Sequence, residues 1–150
     1  MDDKALQLSN QVCFPVYSAS RLITRAYKPY LDEMGITYPQ YLVLMVLWES
    51  DNVSVNQITQ KLLLNTNTVS PLLKRMEKLE LIERNRSIED ERIEIVQLTE
   101  KGKLLKGQAK PIPENLLKIM LNENINLSEI LQLKEMLNQW IEILNENSKK

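Results

Sequence analysis

Residues 62–98 read LLLNTNTVSPLLKRMEKLELIERNRSIEDERIEIVQL, and this stretch decides the fold. After a short polar break, Val69, Leu72, Leu73 and Met76 fall at i, i+3, i+4 and i+7, one buried helical face. At about 100° per residue, Asn67, Pro71, Lys74 and Lys78 share the opposite face, flanked by Ser70 and Arg75. Pro71 favours a first helical turn, so the pattern predicts a late start with Ser70 as N-cap, or an irregular one. Two short strand-like runs follow, Leu81–Arg84 and Ile93–Leu98, with a charged loop, Asn85–Glu91, between them. The second run alternates as an antiparallel hairpin strand should. The order of elements is that of a helix-turn-helix followed by a wing, an architecture that reads duplex DNA.

The chemistry of the outer face fits that reading. Short hydrogen-bonding side chains lie near its start and cations lie further along. A recognition helix needs both, the first for base edges and the second for phosphates. Arg84, Arg86 and Arg92 lie in or beside the loop, and an arginine at a hairpin tip fits the negative potential of a narrow minor groove. One of Glu89, Asp90 and Glu91 is expected to orient Arg92 or Arg86. Taken alone, each pattern also describes a solvated surface that binds nothing.

Outward from this stretch the chain reads as helical. Val12, Val16, Ala19, Ile23, Tyr27, Tyr30 and Met34 predict one long helix from about Leu6 to Met34, with Pro15 or Pro29 as points of disturbance and Gly35 as its C-cap. Thr37 and Pro39 open a second helix to about Glu49. Val53–Val55 reads as a small strand, and 56–63 as a short helix. Thr99 caps a helix to Lys110 that Pro111 and Pro113 interrupt. The last helix starts near Ser128, with Ile130, Leu133, Leu137, Trp140, Ile141 and Leu144 on one stripe. Trp48 and Trp140 read as core anchors, and Met34, Met45 and Met76 as core filling. The expected fold is mainly α with a small β wing. It is one domain over 1–150, with a winged helix-turn-helix core at about 35–110 and dimerisation helices at about 1–34 and 111–150.

Composition narrows the function. Hydrophobic residues make up 43% of the 150 and charged residues 26%, so the chain can bury a core. Net charge is −1, so any nucleic-acid site must be a local placement of cations. One cysteine and no histidine exclude an intrachain disulfide and a histidine-dependent triad. No phosphate-cradling glycine loop, metal spacing or catalytic carboxylate pair is visible, and no cofactor or metal is expected. No membrane span or signal peptide is read, so the cytoplasm is the expected location.

The single cysteine, Cys13, stands in QVCFPVY. A lone cysteine in an apolar helix is usually a small core residue. Tyr17 lies one turn on, on the same face, and Tyr27 and Tyr38 follow. Phenol hydroxyls near a thiolate donate hydrogen bonds that favour its charged form. A continuous helix places Tyr27 about 21 Å from Cys13. The two can meet only across a dimer whose first helices run antiparallel.

The run Asn65–Glu77, then Asp90-Glu91-Arg92, then Leu98-Thr99-Glu100-Lys101-Gly102, resembles the multiple-antibiotic-resistance regulator (MarR) family, dimeric winged-helix DNA binders. The resemblance covers nearly the whole chain. It implies that Thr68, Ser70, Lys74 and Arg75 lie in the major groove or on its phosphates, and Asn65 and Thr66, just before them, are DNA-binding candidates with them. It implies too that Arg92, supported by Asp90, is the minor-groove wing residue; Arg84 and Arg86, from their place beside the loop, are further DNA-binding candidates. Asn65 and Asn67 stand where family members often carry Asp and Gly. The segment around Cys13 resembles the organic-hydroperoxide-sensing branch. There the matching cysteine is the peroxide sensor, and tyrosines matching Tyr27 and Tyr38 come from the partner subunit. Tyr17 also has a counterpart, whereas Pro15 is unusual.

The resemblance thus implies a homodimeric regulator, a repressor rather than an enzyme. Its expected partners are double-stranded DNA, an organic hydroperoxide as inducer and a low-molecular-weight thiol as one fate of the oxidised cysteine. Three alternatives stay open: a regulator sensing a small aromatic or anionic ligand, a thiol-dependent redox enzyme, and an all-helical interaction module.

Overall fold

A computed structural model describes residues 3–148. Two 3-10 turns, Asp3–Leu6 and Leu8–Asn10, precede α1 (Cys13–Met34). Then come α2 (Tyr38–Glu49), β1 (Val53–Ser54), α3 (Val55–Leu62), α4 (Thr66–Lys78), β2 (Ile82–Arg86), β3 (Glu94–Leu98), α5 (Glu100–Ala109), α6 (Ile112–Met120) and α7 (Leu127–Asn147). The strands form one antiparallel sheet in the order β1-β3-β2. Two compact units divide the chain, up to Ile112 and from Pro113 onward.

The first helix differs from expectation. It starts at Cys13, not near Leu6, and Leu6 and Leu8 lie in the preceding turns. A helix already running at Gln11 would need the N–H of residue 15; Pro15 has none, and its ring would strike the Gln11 carbonyl. As third residue of α1, Pro15 forfeits nothing, because first-turn N–H groups have no intrahelical acceptor. Gly35 ends the helix in the left-handed region at φ +69°, and its N–H reaches the Leu31 and Asp32 carbonyls.

The helix expected to read DNA also starts elsewhere than predicted. Asn65 is its N-cap, so α4 begins at Thr66 and Pro71 lies inside it. The Asn65 Oδ1 accepts from the Thr68 N–H at 3.0 Å, which satisfies a first-turn donor well before the cap expected at Ser70. Pro71 costs α4 one backbone bond, and burial of Val69, Leu72, Leu73 and Met76 offsets it. Fully burying side chains of this size contributes about 1.5–3 kcal/mol each. They pack in a core with Tyr41, Val43, Leu44 and Leu47 of α2, Ile58 of α3, and Ile82 and Val96 of the sheet.

The first hairpin strand ends at Arg86, two residues later than expected, and the second starts at Glu94, one residue later. The ladder pairs Ile82 with Leu98 at one end and Arg86 with Glu94 at the other. The helix α6 is absent from the sequence reading; Pro111 and Pro113 read as an interruption, yet Pro113 is only the second residue of α6, where its missing N–H is harmless. In the second unit, α7 is capped reciprocally by Asn126 and Glu129 and buries none of its residues. Leu133, Trp140, Ile141 and Leu144 are exposed, so Trp140 is not a core anchor of the single chain. Met76 fills the core, whereas Met45 is exposed. None of the described helices is long and apolar enough to cross a membrane.

Candidate nucleic-acid interface and thiol site

The turn between α3 and α4 is short because Leu63 adopts the left-handed conformation at φ 53°. The Leu64 N–H then bonds back to the Thr59 carbonyl at 3.1 Å. At the start of α3, Ser54 accepts from the Gln57 N–H at 3.1 Å while Gln57 accepts from the Ser54 N–H at 2.8 Å. These bonds fix the angle at which α4 is presented. Thr66, Asn67, Thr68, Lys74 and Arg75 are exposed and Ser70 is half-buried. Asn65 and Thr68 are partly committed to each other, since the Thr68 hydroxyl also donates to Asn65 Oδ1 at 3.1 Å.

At the wing tip the Asp90 carboxylate holds Arg92 by three bonds: to the backbone N–H at 3.0 Å, to Nε at 3.1 Å and to a terminal guanidinium nitrogen at 3.2 Å. Those bonds keep the Asp90 carboxyl below its ordinary pKa of 3.8. The Arg92 side chain stays 91% exposed, oriented but not covered. Of the three acidic residues beside it, Asp90 is thus the orienting one.

Arg84 departs from its expected role. Its side chain is only 19% exposed and pairs with Glu77 at 2.8 Å and Glu94 at 3.4 Å. It ties α4 to the wing base and is not free for a phosphate. Arg86 lies in β2 rather than in the loop and is exposed. A groove of about 390 Å³ brings Arg86 and Arg92 together with Thr66 and Ser70 of α4, and with Ser54 and Asn56 at the start of α3. Ser54 and Asn56 were not among the sequence candidates, although the Ser54-x-x-Gln57 capping pattern marks that helix start.

Cys13 is the first residue of α1 and is exposed. Among the described residues no side chain of its own chain bonds the thiol. Tyr17 is exposed too, and its ring lies under the Arg21 guanidinium at 5.2 Å. Tyr27 and Tyr38 lie on different helices, yet their ring centroids are 4.8 Å apart. Tyr41, absent from the sequence candidates, closes the cluster at 5.6 Å from Tyr27 and 6.3 Å from Tyr38. Burial, then the proximity of Tyr38 and Tyr41, pushes Tyr27 from 10.0 up to about 12. Burial also raises Tyr38, and raises Tyr41 together with Tyr38 beside it. Each phenol of the cluster is therefore neutral at neutral pH and able to donate a hydrogen bond.

The raised Tyr27 value has a testable sign. Favouring the neutral phenol in the folded state adds stability that is fully present below pH 10 and lost as pH rises through about 12. Ultraviolet titration is expected to show a late phenolate step near 12 that Tyr27→Phe removes. An unchanged titration curve in that variant would refute the assignment.

Tyr41 passes contact on. Trp48 packs edge-on against it at 6.1 Å and donates its indole N–H to the Gly102 carbonyl at 3.0 Å. Lys106 donates to the Trp48 carbonyl, also at 3.0 Å. At the N-cap of α5, the Thr99 hydroxyl donates to the Glu80 carbonyl at 2.6 Å, and the Thr99 N–H bonds the Leu81 carbonyl at 3.1 Å. Contacts thus run from the tyrosines through α5 to the junction of α4 with the wing.

Residues 25–108 match the family model for the transcriptional regulator SarA/Rot. The chain belongs to this MarR-like family of transcriptional regulators. It is 43% identical over 143 residues to the organic hydroperoxide resistance transcriptional regulator of Bacillus subtilis (strain 168), with 95% of each chain covered. It is 35% identical over 144 residues to the HTH-type transcriptional regulator MgrA of Staphylococcus aureus, covering 95% of this chain and 96% of that one. Among solved structures, reduced AbfR bound to DNA has a TM-score of 0.75 and 34% identity, covering 96% of this chain and 99% of that chain; AbfR is a protein of Staphylococcus epidermidis. The family's winged helix is thus the frame that holds both the groove and the tyrosine cluster.

Proposed function

We propose that this family member is a homodimeric repressor that binds a pseudo-palindromic operator and releases it when an organic hydroperoxide oxidises Cys13. An exposed, unbonded Cys13 carries the reading, in a chain alike over 95% of its length to an organic hydroperoxide resistance regulator. Thr66, Thr68, Ser70, Lys74 and Arg75 would meet the major groove, with Asn65 holding the helix start. Arg86 and Arg92 would meet the backbone and minor groove. Half-sites would lie about 34–36 Å apart, one helical turn. The exposed apolar surface of α7 and of the N-terminal segment, at about 1–34 and 111–150, would be buried against the second copy. That arrangement would also bring the partner's Tyr27 and Tyr38 to Cys13. The regulator would act in the cytoplasm, where its DNA is, without catalytic turnover.

In the sensing step the thiolate sulfur attacks the terminal peroxide oxygen. The O–O bond breaks, the alkoxide leaves and is protonated to the alcohol, and Cys13 becomes a sulfenic acid. With one cysteine in the chain, the sulfenic acid then condenses with a low-molecular-weight thiol, losing water. The added bulk at the tyrosine cluster would travel along Tyr41, Trp48 and α5 and change the spacing of the two recognition helices.

The test is a fluorescence-anisotropy titration on the DNA upstream of the gene, with and without cumene hydroperoxide. Oxidant-dependent release is expected, and binding insensitive to oxidant would overturn the sensing role. Arg92→Ala is expected to weaken binding about tenfold and to make the salt dependence shallower by about one unit. Unchanged affinity would remove the wing assignment.

One observation favours a second reading. A cleft of about 460 Å³ between α1 and the start of α2 is lined by Arg21, Arg25, Ile36, Tyr38 and Pro39, and by Lys28 and Asp32, which pair with each other at 2.6 Å. Two arginines beside apolar and aromatic side chains suit a small aromatic anion. Release by benzoate or salicylate, with no response to hydroperoxide, would favour it.

A further inference from the structure

We propose that Asn67 reads an adenine in the major groove of each half-site, with the Pro71 ring one turn later packed on a neighbouring thymine methyl. The inference rests on α4 being the DNA-reading helix and adds which base it selects. A carboxamide reads adenine with two bonds at once: Oδ1 accepts from the N6 amino group and Nδ2 donates to N7. Both atoms must be free, exposed and near the start of the helix. Two carboxamides meet the last condition, and the structure separates them. The Oδ1 of Asn65 already accepts from the Thr68 N–H and the Thr68 hydroxyl. Asn67 is exposed, and its amide bonds nothing among the described residues.

Pro71 supplies an independent reason. It stands inside α4 and is exposed, so core packing does not account for it. It forfeits the N–H that would bond the Asn67 carbonyl, a loss that helix interiors ordinarily avoid. On the outer stripe it is an apolar ring between an amide and a lysine. In the major groove the apolar feature that such a ring matches is the thymine C5-methyl. Asn67 and Pro71 are about 6 Å apart along the helix axis, which is close to two base steps of duplex. Lys74 follows on the same stripe, exposed and without an ion pair among the described residues, and continues the line toward phosphate.

The experiment measures operator affinity by anisotropy for native protein, Asn67→Ala, Asn67→Asp and Pro71→Ala. Each adenine of the footprint is replaced in turn by 7-deazaadenine, which lacks the N7 acceptor, and each thymine by deoxyuracil, which lacks the methyl. Native protein is expected to lose about tenfold at one adenine per half-site. Asn67→Ala and Asn67→Asp are expected to bind the natural operator more weakly and to be indifferent to 7-deazaadenine there, and Asn67→Ala, which changes no charge, to keep the native salt slope. Pro71→Ala is expected to lose the preference for thymine over deoxyuracil at a position about two base steps from that adenine. If Asn67→Ala keeps the native sensitivity to every 7-deazaadenine, the assignment is overturned while DNA reading by α4 stands. If native protein shifts no upstream DNA at all, both fall together.

Discussion

Cys13→Ser protein is expected to bind its operator as tightly as the parent and to stay bound when hydroperoxide is added. The parent is expected to lose at least tenfold in affinity under the same treatment, on the order of the 5–150-fold usual for coupling between two sites. The serine hydroxyl is not ionised near neutral pH and does not attack a peroxide oxygen, whereas a thiolate does. The chain holds no second cysteine to take over. Within its own chain Cys13 is exposed, at the first position of α1, and serine nearly matches cysteine in size, so little stability should be lost. The alternative oxidant target is methionine, which hydroperoxides convert to a sulfoxide, and Met45 is exposed. Continued release of Cys13→Ser protein from DNA would therefore remove the thiol sensor and point to methionine. Mass spectrometry of the released protein separates the two.

The second large effect is on folding. Gly102→Ala is expected to destabilise the protein by roughly 3 kcal/mol, the upper part of the range for overpacking, and to lower Tm by about 6–12 °C at fixed protein concentration. Helix propensity alone predicts the opposite sign, since Ala is better than Gly inside a helix by about 1 kcal/mol. Geometry overrides it. A Cβ at Gly102 would strike the Leu81 carbonyl oxygen and lie 3.1 Å from a Leu98 methyl. The Leu81 carbonyl is backbone and already accepts from the Thr99 N–H, so it cannot swing aside without breaking the α4–wing junction. Gly107 provides the control within the same helix. It is exposed and a Cβ there meets nothing within 4 Å, so Gly107→Ala is expected to stabilise by about 1 kcal/mol. Thermal melts of the two variants should move in opposite directions; a stabilised Gly102→Ala would refute the close approach.

Much of the architecture was legible because it rests on local physics. The buried stripe of α4, the alternation of β3, the Gly35 and Thr99 caps and the Asp90–Arg92 pair all involve residues within one or two helical turns of each other. The misread boundaries were local contests between signals of similar strength. Pro71 outweighs Asn65 as a start signal in the bare sequence, but the Asn65 cap and four buried side chains decide otherwise. Pro15 reads as a disturbance in a helix, when its missing N–H fixes where that helix begins. Pro111 and Pro113 mask α6 because a proline reads as a breaker unless its position in the first turn is known.

By itself the sequence determined the class of fold, the faces of the reading helix, the arginine at the wing tip and the presence of one thiol with tyrosines spaced along α1 and α2. Only the tertiary structure decided that Arg84 is withdrawn into ion pairs with Glu77 and Glu94. It also decided that Tyr41 joins Tyr27 and Tyr38, and that Trp48 bonds Gly102 across 54 residues. The reason is one of range. Periodicity, capping and turn preference act over a few residues, whereas ring stacking, ion pairing and close backbone approach depend on which distant elements the core brings together.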